Sequence, residues 1–265
     1  MPLLMPCSLL RSRRFTAFLS WTVSIGLLPS AYAAVEDRPA SFAEGDASLS
    51  SFSMPHIPEP MLFDLVRPLG AKKGELEVNA LVQHGEHGEL EWAPEIEYAF
   101  ADGYAIELEL PYHNSHLGEY KLALQGTLGT LNNDTMVHGW QVIGRRERES
   151  GAYSADALYL AGLALDNSWS FFTMTGLRRS EFNSHRQTLG LFNTSVFYDW
   201  SQRLTLGVEI NNEIGPGFDW RTRLVPQLHY DLGENTTLQT GIGPSWLARE
   251  GTEEWLFSWR LIHAW

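Results

Sequence analysis

The chain reads as an all-β protein: a transmembrane, up-and-down antiparallel β-barrel of about twelve strands behind an irregular N-terminal segment. Three observations lead there. From Gly74 onward, apolar and polar residues alternate in runs of roughly ten, the period of strands and not of helices. The connectors between these runs alternate strictly between tight and longer ones. The last run, EWLFSWRLIHAW, puts Trp255, Phe257, Trp259, Leu261 and Trp265 on one face and ends in an aromatic residue.

The N-terminus comes first. Arg11, Arg13 and Arg14 precede an apolar run from Thr16 to Leu28, and small residues follow at Ala31 and Ala33. This is the pattern of a signal peptide over residues 1–33, cleaved after Ala33. The apolar run falls short of the roughly 20 residues that a spanning helix needs. Cys7 precedes the apolar core, the wrong place for a lipid anchor, and no cysteine follows it. The mature chain therefore has neither disulfides nor thiol chemistry. The whole chain carries nineteen basic and thirty-two acidic residues, a formal net charge of −13. Losing three arginines with the signal leaves 16 against 32, or −16, a balance that excludes nucleic acid as a partner.

Residues 34–73 hold Pro39, Pro55, Pro58, Pro60 and Pro68 without periodicity and read as a Pro-rich periplasmic lead-in. Within it, MLFDLV at 61–66 suits a short docking helix or a plug element. Residues 74–265 form the barrel. The alternation predicts strands at 75–82, 89–100, 104–112, 119–128, 135–145, 153–165, 168–179, 187–198, 203–214, 220–230, 236–247 and 254–265. ADG, NND, DNS, DWSQ and DLGEN supply tight-turn chemistry. HGEHGE, HNSHLG, RERESG, EFNSHR, GPGFD and REGTEE are longer and more charged, as outer loops are. Pro94, Pro226 and Pro244 fall inside strands and each removes a ladder donor; Pro226, in mid-strand, argues against the register there.

The faces follow from the environment. In a soluble sheet the oil packs inside and the acids face water. In an outer-membrane barrel the order inverts, with oil toward lipid and carboxylates toward the lumen. Aromatics gathered near strand ends, among them Phe100, Tyr104, Tyr120, Trp220, Tyr230 and Trp255, suit the two membrane interfaces. The aromatic ending at Trp265 resembles the C-terminal signal read by the barrel-assembly machinery. The expected location is the cell outer membrane, with its lipid and that machinery as partners.

One stretch also resembles a known family. PEIEYAFADGYAIELELPY, residues 94–112, is similar to the repeated hairpin of the MetA-pathway phenol-degradation family. The shared features are the acidic-aromatic strand, the Asp-containing turn and the ending Leu110-Pro111-Tyr112; the Pro-rich lead-in fits too. The resemblance covers about 40 residues and is architectural beyond them. It implies an outer-membrane barrel with a transporter-like role, and it carries over no catalytic residue.

The same hairpin supplies the leading site. With Gly103 left-handed in a three-residue turn, Phe100 faces Tyr104, Glu97 faces Glu107 and Glu95 faces Glu109. Opposed like charges about 5 Å apart destabilise a sheet, so this luminal ladder needs an offset. Glu75, Glu77 and Glu91 extend the acidic patch, while Lys121 and Arg260 point inward as basic partners, with Arg203, Arg221 and Arg223 further round. An open lumen ringed by carboxylates prefers cations. The bland alternative is an internal ion-pair network filling a narrow barrel. His84, His87, His113 and His116 form two H-x-x-H pairs in adjacent outer loops, a weak pattern for Zn²⁺ or Cu²⁺. Ser115-His116 and Ser184-His185 are neighbours in sequence, and neighbours on a strand point to opposite faces, which suits no nucleophile and base.

The sequence therefore reads as a non-enzymatic channel or uptake protein for a small solute, either cation-preferring or taking small hydrophobic or aromatic compounds, with no cofactor. The alternatives are a non-conducting structural or metal-binding barrel and an outer-membrane lipid hydrolase.

Overall fold

The computed structural model describes residues 54–62, 65–180, 187–247 and 251–265, apart from the side chains of Phe218 and Thr252. The signal peptide, residues 34–53, Ser184 and His185 lie outside the described residues.

The strands are β1 (Leu76–Gly85), β2 (Leu90–Ala101), β3 (Tyr104–Glu109), β4 (Tyr112–His113), β5 (His116–Leu117), β6 (Glu119–Leu131), β7 (Met136–Glu147) and β8 (Tyr153–Ala164). They continue with β9 (Trp169–Ser180), β10 (Gln187–Ser201), β11 (Leu204–Ile214), β12 (Trp220–Asp231), β13 (Thr236–Leu247) and β14 (Thr252–Ala264). Each of the twelve expected strands is present. β4 and β5 form a small hairpin raised from the connector between β3 and β6, with β4 paired to β2. The other twelve close on themselves in sequence order, because β1 pairs with both β2 and β14. Trp265 completes the seam by donating its backbone N–H to the Leu76 carbonyl at 2.9 Å.

The wall is inverted as expected for lipid. Along the opening hairpin, Ile96, Tyr98, Phe100, Ile106 and Leu108 are exposed, whereas Glu97, Ala99, Ala105 and Glu107 are buried. The same split runs round the barrel, from Leu122 through Ile242 to Trp255, Phe257, Trp259 and Leu261. Such an apolar outer band has no place in water and is the lipid-facing belt of an outer-membrane barrel.

The tight turns use the expected backbone. Gly103 has φ 75°, and Asn132, Asn133 and Asp134 all adopt positive φ. The hairpin register differs in one detail. A bulge between Ala99 and Ala101 pairs Tyr104 with Ala101 instead of Phe100, although the Phe100 and Tyr104 rings still pack 6.3 Å apart.

Pro226 does not shift the register. β12 and β13 pair Arg223 with Ser245 and Gln227 with Gly241, which is one continuous register on either side of a gap. The unpaired stretch holds Pro226 on one strand and Pro244 on the other, so two residues that lack an N–H share a single interruption. Pro94 sits likewise, beside the break at Leu110-Pro111 between β3 and β4.

The described part of the lead-in, 54–62 and 65–73, is irregular and runs inside the barrel. Met61, Leu65, Val66, Leu69 and Ala71 are buried. The wall makes room for it with glycine. A Cβ on Gly241 would lie 2.6 Å from Met61 Cε, and one on Gly139 would lie 2.6 Å from Leu69 Cδ2.

Candidate functional site: a charged cavity above a luminal segment

Strand pairing builds the acidic ladder in two rows. Glu77, Glu97 and Glu107 stand side by side on β1, β2 and β3. The next row outward reads Asn79, Glu95, Glu109, Lys121 and Arg145 across β1, β2, β3, β6 and β7. The opposed pairs Glu97–Glu107 and Glu95–Glu109 thus have the register expected from the turn.

Both expected basic partners reach this ladder. Lys121 Nζ lies 2.9 Å from Glu107 Oε1 and also pairs with Glu109. Arg260, on β14, spans the closing strand: Nη2 meets Glu95 Oε1 at 2.6 Å and Glu97 Oε1 at 3.5 Å, while Nε donates to Asn79 Oδ1 at 3.0 Å. Arg203 does not point inward; it is exposed at the turn between β10 and β11.

Three participants escaped the sequence reading. Arg67, in the luminal segment, pairs with Glu77 and with Glu75 at 3.1 Å. Glu59, also in that segment, lies 2.6 Å from Arg260 Nη1. Burial pushes the Glu59 carboxyl up to about 7, although Arg260 pulls it the other way. The third is Glu209 on β11. It accepts the backbone N–H of Met61 at 3.0 Å and of Leu62 at 3.1 Å, and its other neighbours are Asn211 and Gln227. One carboxylate thereby holds two successive donors of the irregular segment to the wall. A signal was present: Glu209 is an inward acid whose cross-strand neighbours, Ser195 and Val225, offer no cation.

Above the segment is a cavity of about 330 Å³ on the side of the longer connectors. Met61, Leu62 and Leu65 form part of its lining, along with Glu95, Glu109, Lys121 and Arg260 from the ladder. Further round, Asp156 bridges Arg145 at 2.7 Å and Arg178 at 3.0 Å, and Arg178 reaches Glu213 at 2.7 Å. Arg221 and Arg223, adjacent on the inner face of β12, also line the cavity. Among the described residues neither has a carboxylate within ion-pair distance, and Arg223 Nε is buried without a hydrogen-bond partner.

The loop histidines do not converge. His84 is the penultimate residue of β1 and is exposed; His87 lies 3.4 Å from Glu86, and His113 lies 3.3 Å from Glu91. His113 and His116 face each other within the β4–β5 hairpin. The groups of three or more potential metal ligands found among the described residues contain no histidine: they are Glu95, Glu97 and Glu107 in the ladder, and Glu77 and Glu97 with Glu59 of the luminal segment. Ser115 Oγ is 3.5 Å from His116 Nδ1, both exposed.

Comparison with known proteins adds the following. Residues 53–132 match a family described as HAEPLYID-like, a span that takes in the luminal segment and the acidic hairpin. No curated protein sequence matches the chain. Among solved structures, the NanC porin superposes with a TM-score of 0.58 at 12% identity, over 71% of this chain and 98% of that one. The KdgM porin gives a TM-score of 0.53 at 10% identity, over 69% and 97%. KdgM in complex with disordered oligogalacturonate gives 0.53 at 11%, over 71% and 98%. At such identities the likeness is one of fold: a twelve-stranded barrel of the outer-membrane porin type.

Proposed function

We propose that the protein is a channel or uptake barrel for small solutes, held closed on its periplasmic side by the described part of its lead-in, residues 54–62 and 65–73. The observation that carries this reading is the cavity, open toward the long connectors and ending on Met61, Leu62 and Leu65. A lumen filled only for structural reasons has no need of an outward chamber with charged walls. The likeness to porins supports the same reading.

The chamber also bears on the solute. Glu97 and Glu107 lie fully buried, paired with Arg260 and Lys121, and do not line it. What it presents without a charged partner among the described residues is Arg221 and Arg223, over a partly apolar floor. A small solute with an anionic group and an apolar body fits that arrangement, since a guanidinium pairs with carboxylate through two parallel hydrogen bonds. The preference for cations expected from the ladder then applies only to its outermost members, Glu95 and Glu109.

A second reading, a non-conducting barrel, is favoured by the tight seating of the luminal segment. Single-channel recording separates the two. The full chain should open rarely, and a chain lacking 54–73 should conduct steadily. In that background, Arg221→Gln with Arg223→Gln should shift the reversal potential toward cations. Silence with and without the segment would establish the non-conducting barrel.

A further inference from the structure

The ladder is not neutralised by its protein partners. Seven carboxylates touch the network: Glu59, Glu75, Glu77, Glu95, Glu97, Glu107 and Glu109. Three cations answer them: Arg67, Lys121 and Arg260. Glu75 is partly solvated; of the other six, Glu77, Glu97 and Glu107 are buried and Glu59, Glu95 and Glu109 half-buried, against three cations. A buried excess of negative charge does not persist unless something compensates it.

Two oxygens show where the compensation is missing. Glu97 Oε2 and Glu107 Oε2 are buried and accept no hydrogen bond, on side chains that are themselves fully buried. Glu97 Oε1, by contrast, accepts from Asn79 at 2.8 Å. Both carboxylates belong to one group with Glu95, in which an oxygen from each residue lies within 4.8 Å of the others. Oxygens bound to one calcium ion at 2.3–2.6 Å are separated by up to roughly 5 Å, whereas magnesium requires a tighter octahedron and keeps its waters. The donors are all hard oxygens, with no imidazole or thiolate that would favour zinc or copper.

We propose that Glu95, Glu97 and Glu107 bind a hard divalent cation, calcium in preference to magnesium. Glu95 lines the outward cavity, so the ion reaches the cluster from outside the cell. Bound there, it joins β2 to β3 where their side chains repel. Through Glu95 and Glu97 it also sets the position of Arg260, which holds Glu59 and the Pro60 carbonyl of the luminal segment. This site is separate from Arg221 and Arg223, and its test does not read conductance, so its failure leaves the channel reading intact.

The test uses the full refolded chain in detergent, stripped with EDTA and dialysed at equilibrium against ⁴⁵Ca²⁺. One ion per chain should bind, magnesium should compete poorly, and calcium should raise the unfolding temperature. Glu97→Gln with Glu107→Gln keeps the side-chain shape and should weaken binding at least tenfold. Glu234→Gln, at an exposed turn, should not. Should the double variant fail to refold, Glu107→Gln alone is the comparison, with the same direction expected. No calcium bound by the wild type at millimolar concentration overturns the proposal, and so does equal binding by the variants. An unfolding temperature that calcium leaves unchanged throughout the range from about pH 5 to 8 would identify protons alone as the compensating charge and would likewise overturn it.

Discussion

Arg260 Nη2 and Glu95 Oε1 meet at 2.6 Å across β1, joining the last strand of the barrel to the second. The contact ties the seam where the two ends of the chain close, and the same guanidinium reaches Glu97 and Glu59.

Replacing Arg260 with Met should therefore be costly. It leaves three carboxylates without their shared cation, and breaking a buried pair by removing one partner costs about 3–5 kcal/mol. Urea unfolding in detergent measures this. Arg260→Lys should lose less, because it keeps the charge but cannot reach Asn79, Glu95 and Glu59 together. A loss for Arg260→Met within about 0.5 kcal/mol, as is usual at surface sites, would show that the network does not hold the seam.

Much of this was legible in the sequence. A turn closed by Gly103 fixes which glutamates oppose, and strand parity fixes which way they point. The role of residues 54–73 was not. Burial of that segment rests on backbone N–H groups meeting Glu209, nearly 150 positions away, and such a pairing leaves no period to detect. Arg67 and Glu59 were hidden for the same reason, lying in a stretch without regular structure. Pro226 misled because a single strand was weighed alone; its tolerance depends on Pro244 in the neighbouring strand.

Glu209→Leu should release the luminal segment. The Met61 and Leu62 donors lose their acceptor, and a buried donor left unsatisfied costs about 1–3 kcal/mol. The expected result is faster proteolysis at 54–62 in folded protein, with the barrel still resistant. Unchanged cleavage would mean that Glu209 is not the anchor.

Seating of the segment should depend on pH. The folded value for Glu59, about 7, lies above its ordinary 4.5, so the folded chain holds this proton more tightly. The stability it contributes is complete below pH of about 4.5 and is lost as pH rises through about 7. In calcium-free buffer, protease access to 54–62 should increase between about pH 5 and 8. Glu59→Gln should flatten the profile; a wild-type profile already flat would show that this proton does not govern the seating.

Trp265 is exposed beside His263, their rings 4.3 Å apart edge to face, while its backbone closes the seam. If the aromatic ending is the assembly signal, Trp265→Asp should lower the heat-modifiable barrel recovered from outer membranes severalfold. Refolding in detergent should change little. Equal recovery would remove that role.

The inverted wall underlies everything above, and cysteine labelling tests it without background, since the only native cysteine is Cys7. Single cysteines replace Leu122 and Ile242 on the apolar face, and Asn193 and Asn211 in the cavity lining. In membranes, a water-borne maleimide should label positions 193 and 211, and a lipid-restricted reagent should label 122 and 242. The opposite pattern would mean that carboxylates face the bilayer and oil the interior, and the barrel would be inside out.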